Sequence, residues 1–252
     1  MGDGADLGVR WHEVGGRPVR VLVRGGARAG LLPAVLVPGL GSVGSMAHAA
    51  ELVGRQTAVS LLDLPGFGHR RGRACAATVP AVAAATAGWL RAHARGPVVL
   101  AGHSTGAQAV LHAALAVPEA VAAVVLAGPT FAPAVRRIRP LVRAWAGSTG
   151  REPPSGLVAA GPDYWRAGPV TLARFVRSGL RDRPEDVIGA LRCPVLLATG
   201  AQDRFAPPDW IGRLAAAAPA ARTTTVAASH AVPYSRPGQF AELVLTMATV
   251  GG

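Results

Sequence analysis

At 252 residues, half of them hydrophobic, the chain is long enough to bury a large core within one domain. Its 26 basic and 14 acidic residues leave a formal charge of +12, a sign that ordinarily points to nucleic acid. Every basic residue is arginine, however, and the clusters Arg70-Arg71-Gly72-Arg73 and Arg136-Arg137-Ile138-Arg139 lack the interleaved aromatics of a strand binder, so nucleic acid is not an expected partner.

The opening residues, Met1-Gly-Asp-Gly-Ala-Asp-Leu-Gly8, have neither the basic start nor the apolar stretch of a secretion signal, and Asp6 stands where N-myristoylation wants serine or threonine. No apolar run approaches the ~18 residues of a membrane helix, so the expectation is a cytoplasmic protein without a membrane partner. Runs at 8–14 and 19–23, separated by Gly15-Gly16-Arg17-Pro18, predict an antiparallel hairpin. Strands and helices then alternate. A strand at 34–37 enters Pro38-Gly-Leu-Gly-Ser42, followed by a helix at 45–53, a strand at 58–62, the turn Asp63-Leu-Pro-Gly-Phe-Gly68 and a helix at 79–93. A strand at 98–101 enters Gly102-His-Ser-Thr-Gly106, a helix runs from 105 to about 117, and a strand follows at 121–127. From Gly128-Pro129 to Arg192 no strand is legible; Pro153-Pro154, Gly161-Pro162 and Gly168-Pro169 punctuate short helical segments. Strands at 195–198 and 222–226, a helix from near Pro208 and a last helix from Pro237 to about Thr249 complete the chain.

Three loops after strands carry chemistry. Gly102-His-Ser-Thr-Gly106 is a G-x-S-x-G pentapeptide between a strand and a helix, the setting in which a serine hydroxyl is thrust out as a nucleophile, and it names Ser104. The partners follow in the order that this arrangement uses: Asp203 after the strand at 195–198, and His230 after the strand at 222–226. Asp209 is the rival carboxylate, but Pro207-Pro208 start a helix that carries it away. The loop Gly128-Pro-Thr-Phe-Ala-Pro133 offers no acid at all. Backbone amides of Leu40 and Thr105 are the expected oxyanion donors. Cys75 and Cys193 form no spacing framework for a disulfide or a metal.

Pro38-Gly-Leu-Gly41, Asp63-Leu-Pro-Gly-Phe-Gly68, Gly102-His-Ser-Thr-Gly106, Gly200-Ala-Gln-Asp203 and Ser229-His230 together resemble the α/β-hydrolase superfamily, over nearly the whole length. Two positions depart from its pattern: Pro38 precedes Gly39 where histidine is common, and His69 stands where many relatives carry serine. The resemblance implies an α/β-hydrolase fold, a mostly parallel eight-stranded sheet flanked by helices. It implies a core of residues 1–128 and 193–252 with a helical cap, 129–192, inserted after the sixth strand. It also implies a serine hydrolase that cleaves an ester, thioester or lactone of a small hydrophobic or amphipathic substrate through an acyl-enzyme, with no metal or organic cofactor. Carbon–carbon bond hydrolysis, a lyase or cyclase step, and a non-catalytic small-molecule receptor are the alternatives on the same fold.

The 129–192 stretch holds five of the twelve aromatics and eleven arginines against five acids. Phe131, Trp145, Tyr164 and Trp165, with Met46 beyond the oxyanion loop, are candidate substrate-pocket residues. Tyr164 and Trp165 are adjacent, so a helix turns only one of them inward. The arginine excess is read first as solvated faces of short helices; the alternative is that one or two of Arg136, Arg137, Arg139 and Arg143 face the pocket mouth and meet an anionic or carrier-bound small-molecule substrate. Arginine to the exclusion of lysine, with abundant alanine and glycine, resembles the composition of high-GC bacterial proteins.

Overall fold

The computed structural model describes residues 7–26, 30–150 and 152–249; the first six residues, on which the absence of a targeting signal was read, lie outside it. Eight strands form one sheet: β1 (Gly8–Val14), β2 (Arg17–Arg24), β3 (Ala34–Val37), β4 (Val59–Leu62), β5 (Val98–His103), β6 (Val121–Ala127), β7 (Val195–Gly200) and β8 (Ala221–Val226). The order across the sheet is β1-β2-β4-β3-β5-β6-β7-β8, with β1 and β2 antiparallel and every pair from β4 to β8 parallel. Gly15 and Gly16, at φ 56° and 74°, make the two-residue turn of the opening hairpin, so β2 starts at Arg17, two residues earlier than the sequence predicts.

Ten helices are described: α1 (Ala47–Gly54), α2 (Val79–His93), α3 (Thr105–Ala116), α4 (Ile138–Thr149), α5 (Pro154–Ala167), α6 (Pro169–Arg181), α7 (Pro184–Val187), α8 (Pro208–Ala217), α9 (Val232–Ser235) and α10 (Pro237–Ala248). β3, β5 and β7 are buried along their whole length, as uninterrupted apolar strands must be when helices cover both faces. Alternate residues point to opposite faces. Val35, Val37, Leu100, Leu126 and Leu197 pack towards α2, α3 and α8, whereas Ala34, Leu36, Ala101, Val125 and Ala198 pack towards α1 and α10. On α10, Phe240, Val244 and Met247 fall at helical spacing and are all buried in that second layer.

The turn after β4 is pinned by Asp63, which is fully buried. Its Oδ2 accepts from Arg20 Nε at 2.8 Å and its Oδ1 accepts the Gly68 N–H at 3.1 Å. Asp63 thus adds a side-chain tie to the backbone ladder that joins β2 and β4. The connection from β6 to β7 is made by α4, α5, α6 and α7, with short 3-10 turns at either end. Gly161-Pro162 does not punctuate it as the sequence predicts; α5 runs through Pro162. Among the described residues no helix is long and apolar enough to cross a membrane.

Candidate active site

β5 ends at His103 and α3 begins at Thr105, so Ser104 alone carries the chain from strand to helix. Its φ of 56° is a positive value that a non-glycine residue holds at a cost of about 1–3 kcal/mol. Gly106 allows so tight a turn: a Cβ there would overlap the carbonyl oxygens of Val37 and Pro38. β7 and β8 are parallel neighbours in register from Val195↔Ala221 to Gly200↔Val226, so the loops behind them emerge at one edge. They deliver Asp203 and His230 beside Ser104.

The contacts run in a line. Ser104 Oγ lies 2.9 Å from His230 Nε2, and His230 Nδ1 lies 2.8 Å from Asp203 Oδ2. Asp203 is 3% exposed, and its other oxygen accepts the N–H groups of Phe205 (2.8 Å) and Ala206 (3.0 Å). Burial alone would raise the Asp203 carboxyl. The His230 ring and the two amides outweigh it and hold the group below the ordinary carboxylate range. Burial likewise opposes a charged imidazole at His230, but the Asp203 carboxylate prevails, Glu152 adds to it, and the pKa is raised. The arrangement favours a histidine that takes a proton from Ser104 and is stabilised once it holds it. His103 Nε2 lies 2.9 Å from the backbone oxygen of His230, and burial pushes its own pKa down to about 3. It is therefore a neutral donor that steadies the His230 backbone.

The two residues whose amides are expected to bind an oxyanion are in contact. Leu40 follows β3 at φ 45°, and its N–H donates to Thr105 Oγ1 at 2.8 Å. Thr105 is the first residue of α3, where a backbone N–H has no acceptor within the helix. The Leu40 amide is thus not free as the sequence reading implied, because the threonine hydroxyl takes it up.

Above Ser104 lies a cavity of about 410 Å³. Phe131, Trp145 and Tyr164 line it, together with Leu141, Val176 and Phe205. Two of the predicted pocket residues are elsewhere. Met46 is 1% exposed and packs beneath α1 with Val43 and Ala50, because the chain turns Ser45 rather than Met46 to the cavity. Trp165 is 89% exposed, the outward member of the adjacent pair of which Tyr164 is the inward one. Burial pushes the Tyr164 hydroxyl up to about 12, so it stays neutral. Asp209 is on an exposed helix face opposite Arg213, away from His230.

No arginine is among the described lining residues. Arg136 is turned to Glu185, pairing through both terminal nitrogens, while its Nε donates to Phe131 O at 3.0 Å. The charged side chain that does line the cavity is Glu152, which the sequence reading missed. Its Oε1 accepts the Ala231 N–H at 2.7 Å, and its Oε2 is buried with no hydrogen-bond partner among the described residues. A glutamate in a stretch of glycine, proline and arginine carries no local signal of that placement. Among the described residues no group of three His, Cys, Asp or Glu side chains is placed to hold a metal ion.

Residues 34–243 match the model of the alpha/beta hydrolase family. The fold is similar to that of a serine hydrolase involved in carbazole degradation, at 20% identity and a TM-score of 0.76, covering 96% of this chain and 98% of that one. It is similar to a thermophilic esterase from Thermogutta terrifontis, at 21% identity and a TM-score of 0.71, covering 94% and 96% of the two chains. It is also similar to an N-formylmaleamic acid deformylase from Pseudomonas putida, at 19% identity and a TM-score of 0.72, covering 94% and 99%. No curated protein matches by sequence.

Proposed function

Because the chain belongs to the alpha/beta hydrolase family, we propose that it is a serine hydrolase that cleaves an ester, thioester or lactone through an acyl-enzyme on Ser104. One observation carries the reading: Ser104 Oγ, the His230 ring and the Asp203 carboxylate are hydrogen-bonded in series, at 2.9 Å and 2.8 Å, on the floor of a largely apolar cavity. His230 takes the Ser104 proton as Oγ attacks the carbonyl carbon, and Asp203 holds the ring's Nδ1–H and stabilises the imidazolium. The carbonyl oxygen becomes an oxyanion, and on this reading the Thr105 and Leu40 amides donate to it, the latter exchanging the Thr105 hydroxyl for it. His230 then returns its proton to the leaving alcohol or thiol. In the second half, His230 takes a proton from water, the resulting hydroxide attacks the acyl carbon, and Ser104 leaves with the proton.

The walls narrow the substrate. Phe131, Leu141, Trp145 and Phe205 favour an apolar acyl group, and a cavity whose charged lining among the described residues is one carboxylate, Glu152, disfavours an anionic acid. A neutral substrate, or one with an N–H or ammonium group, fits better than the anionic one that the arginine excess raised as an alternative. Release of p-nitrophenolate from neutral short-chain esters tests the reading. Turnover that disappears in Ser104→Ala supports it, and turnover that persists in a folded Ser104→Ala protein above a tenth of the original rate overturns it.

A further inference from the structure

Of the eight large hydrophobic side chains exposed among the described residues, six lie on the helices between β6 and β7: Ile138, Val142, Trp145, Val158, Trp165 and Val170. Three of them form a line. Ile138, Val142 and Trp145 fall at i, i+4 and i+7 along α4 and are 82%, 58% and 61% exposed, so one face of the helix presents an apolar stripe to water. A contiguous stripe of this kind marks a surface that meets another apolar phase. Val142 and Trp145 also line the cavity above Ser104, so the stripe is continuous with the cavity's wall.

The charge of these helices selects the phase. α4, α5 and α6 carry Arg139, Arg143, Arg166, Arg174, Arg177 and Arg181 and a single carboxylate, Asp163. Asp163 is 5% exposed and turned inward, its Oδ2 accepting from the Gly44 N–H at 3.1 Å and the Ser42 hydroxyl at 3.2 Å. Its Oδ1 lies 3.3 Å from Arg166 Nη1 and compensates that arginine, while the other five have no acid on these helices, so their exposed surface is cationic. Arg139 and Arg143 each follow a member of the stripe by one residue, which sets them along its flank. A second copy of the chain would bring these arginines against one another. A neutral apolar partner would leave them without counter-charge.

We infer that α4 docks onto an anionic lipid surface, with Ile138, Val142 and Trp145 entering the boundary between headgroups and acyl chains while Arg139 and Arg143 meet lipid phosphates. The combination of an apolar stripe with arginine flanks is the pattern of a helix that lies in a membrane interface rather than crossing it. At 12 residues α4 is far too short to span. Such docking faces the cavity wall toward the lipid phase, from which an apolar ester would enter. The binding does not depend on the assignment of Ser104, so its test is a binding measurement.

Cosedimentation with phosphatidylcholine vesicles containing phosphatidylglycerol, and with pure phosphatidylcholine, tests the inference. The full chain should partition onto the anionic vesicles at least tenfold more strongly than onto the neutral ones, with the difference collapsing in high salt. Ile138→Ser and the pair Arg139→Ser, Arg143→Ser should each lose tenfold or more, while Arg55→Ser, which removes an exposed charge elsewhere, should lose less than twofold. Circular dichroism of each variant should match that of the parent chain. No anionic preference, equal losses in Arg55→Ser and in the α4 arginine pair, or undiminished binding by Ile138→Ser would overturn it. So would light scattering that reports a dimer which Ile138→Ser dissolves, since that outcome assigns the stripe to a second copy.

Discussion

Replacing Asp203 by asparagine separates the carboxylate's electrostatic duty from its structural one. Asparagine is isosteric, and its carbonyl oxygen can still accept the Phe205 and Ala206 N–H groups, which now hold Asp203 Oδ1 at 2.8 Å and 3.0 Å. The amide NH2 then faces His230 Nδ1, where Oδ2 stood at 2.8 Å. Because that nitrogen must now accept, the ring's proton moves to Nε2 and points at Ser104 Oγ. A base that already carries its proton cannot take another, so kcat for a p-nitrophenyl ester should fall about 10⁴-fold, as the equivalent change does in serine proteases, or about 5 kcal/mol. Folding should survive. Asp203→Ala, in contrast, strips both buried N–H groups of their acceptor, at roughly 1–3 kcal/mol each, or about 4 kcal/mol in total. That loss corresponds to a fall in Tm of roughly 8–16 °C in a chain of this size. Measuring kcat and Tm for both variants checks the two claims together. An Asp203→Asn enzyme retaining a tenth of the parent rate, or an Asp203→Ala protein as stable as Asp203→Asn, would refute the reasoning.

Two further perturbations follow from the same geometry. The His230 pKa is raised, and catalysis needs the neutral ring, so kcat/KM should climb with pH along a limb that lies above the ordinary histidine value of ~6.5. Glu152→Gln removes one of the charges that raise it while keeping an acceptor for the Ala231 N–H, so the limb in a pH–rate profile should move to lower pH; a limb that stays or moves up would contradict this. Arg20→Ala leaves the fully buried Asp63 carboxylate without its cation and should cost about 3–5 kcal/mol in denaturant unfolding, with the rate per folded molecule unchanged. A stability change under 1 kcal/mol would show that the pair adds little to the ladder between β2 and β4.

The sheet and its edge were readable because each cue is local: apolar runs such as Val98-Val-Leu-Ala101 can be satisfied only between two helical layers, and each of the three reactive loops follows such a strand directly. The helices between β6 and β7 were not, because there the local signal competes with packing. Pro162 reads as a break but is carried inside α5, with Tyr164 turned to the cavity and Trp165 to water. Tyr164 and Trp165 could be told apart only in part: adjacency implies that one faces inward, and neighbouring elements choose which. Met46 failed as a pocket residue because one position decides whether a side chain meets the cavity or the layer beneath α1. Glu152 and the Thr105 hydroxyl were missed for a different reason. Their partners, the Ala231 and Leu40 amides, lie 79 and 65 residues away in sequence, a separation over which no periodicity speaks.

The central claim is that Ser104 is the nucleophile that His230 activates, and covalent capture addresses it without presuming a substrate. A fluorophosphonate should add one phosphonyl group per chain, and peptide mass spectrometry should place the adduct on Ser104 between Gly102 and Gly106. His230→Ala should slow the labelling by at least a hundredfold, since the unassisted hydroxyl is a poor nucleophile. An unlabelled protein, an adduct on another residue, or a His230→Ala variant labelled at the parent rate would contradict the account.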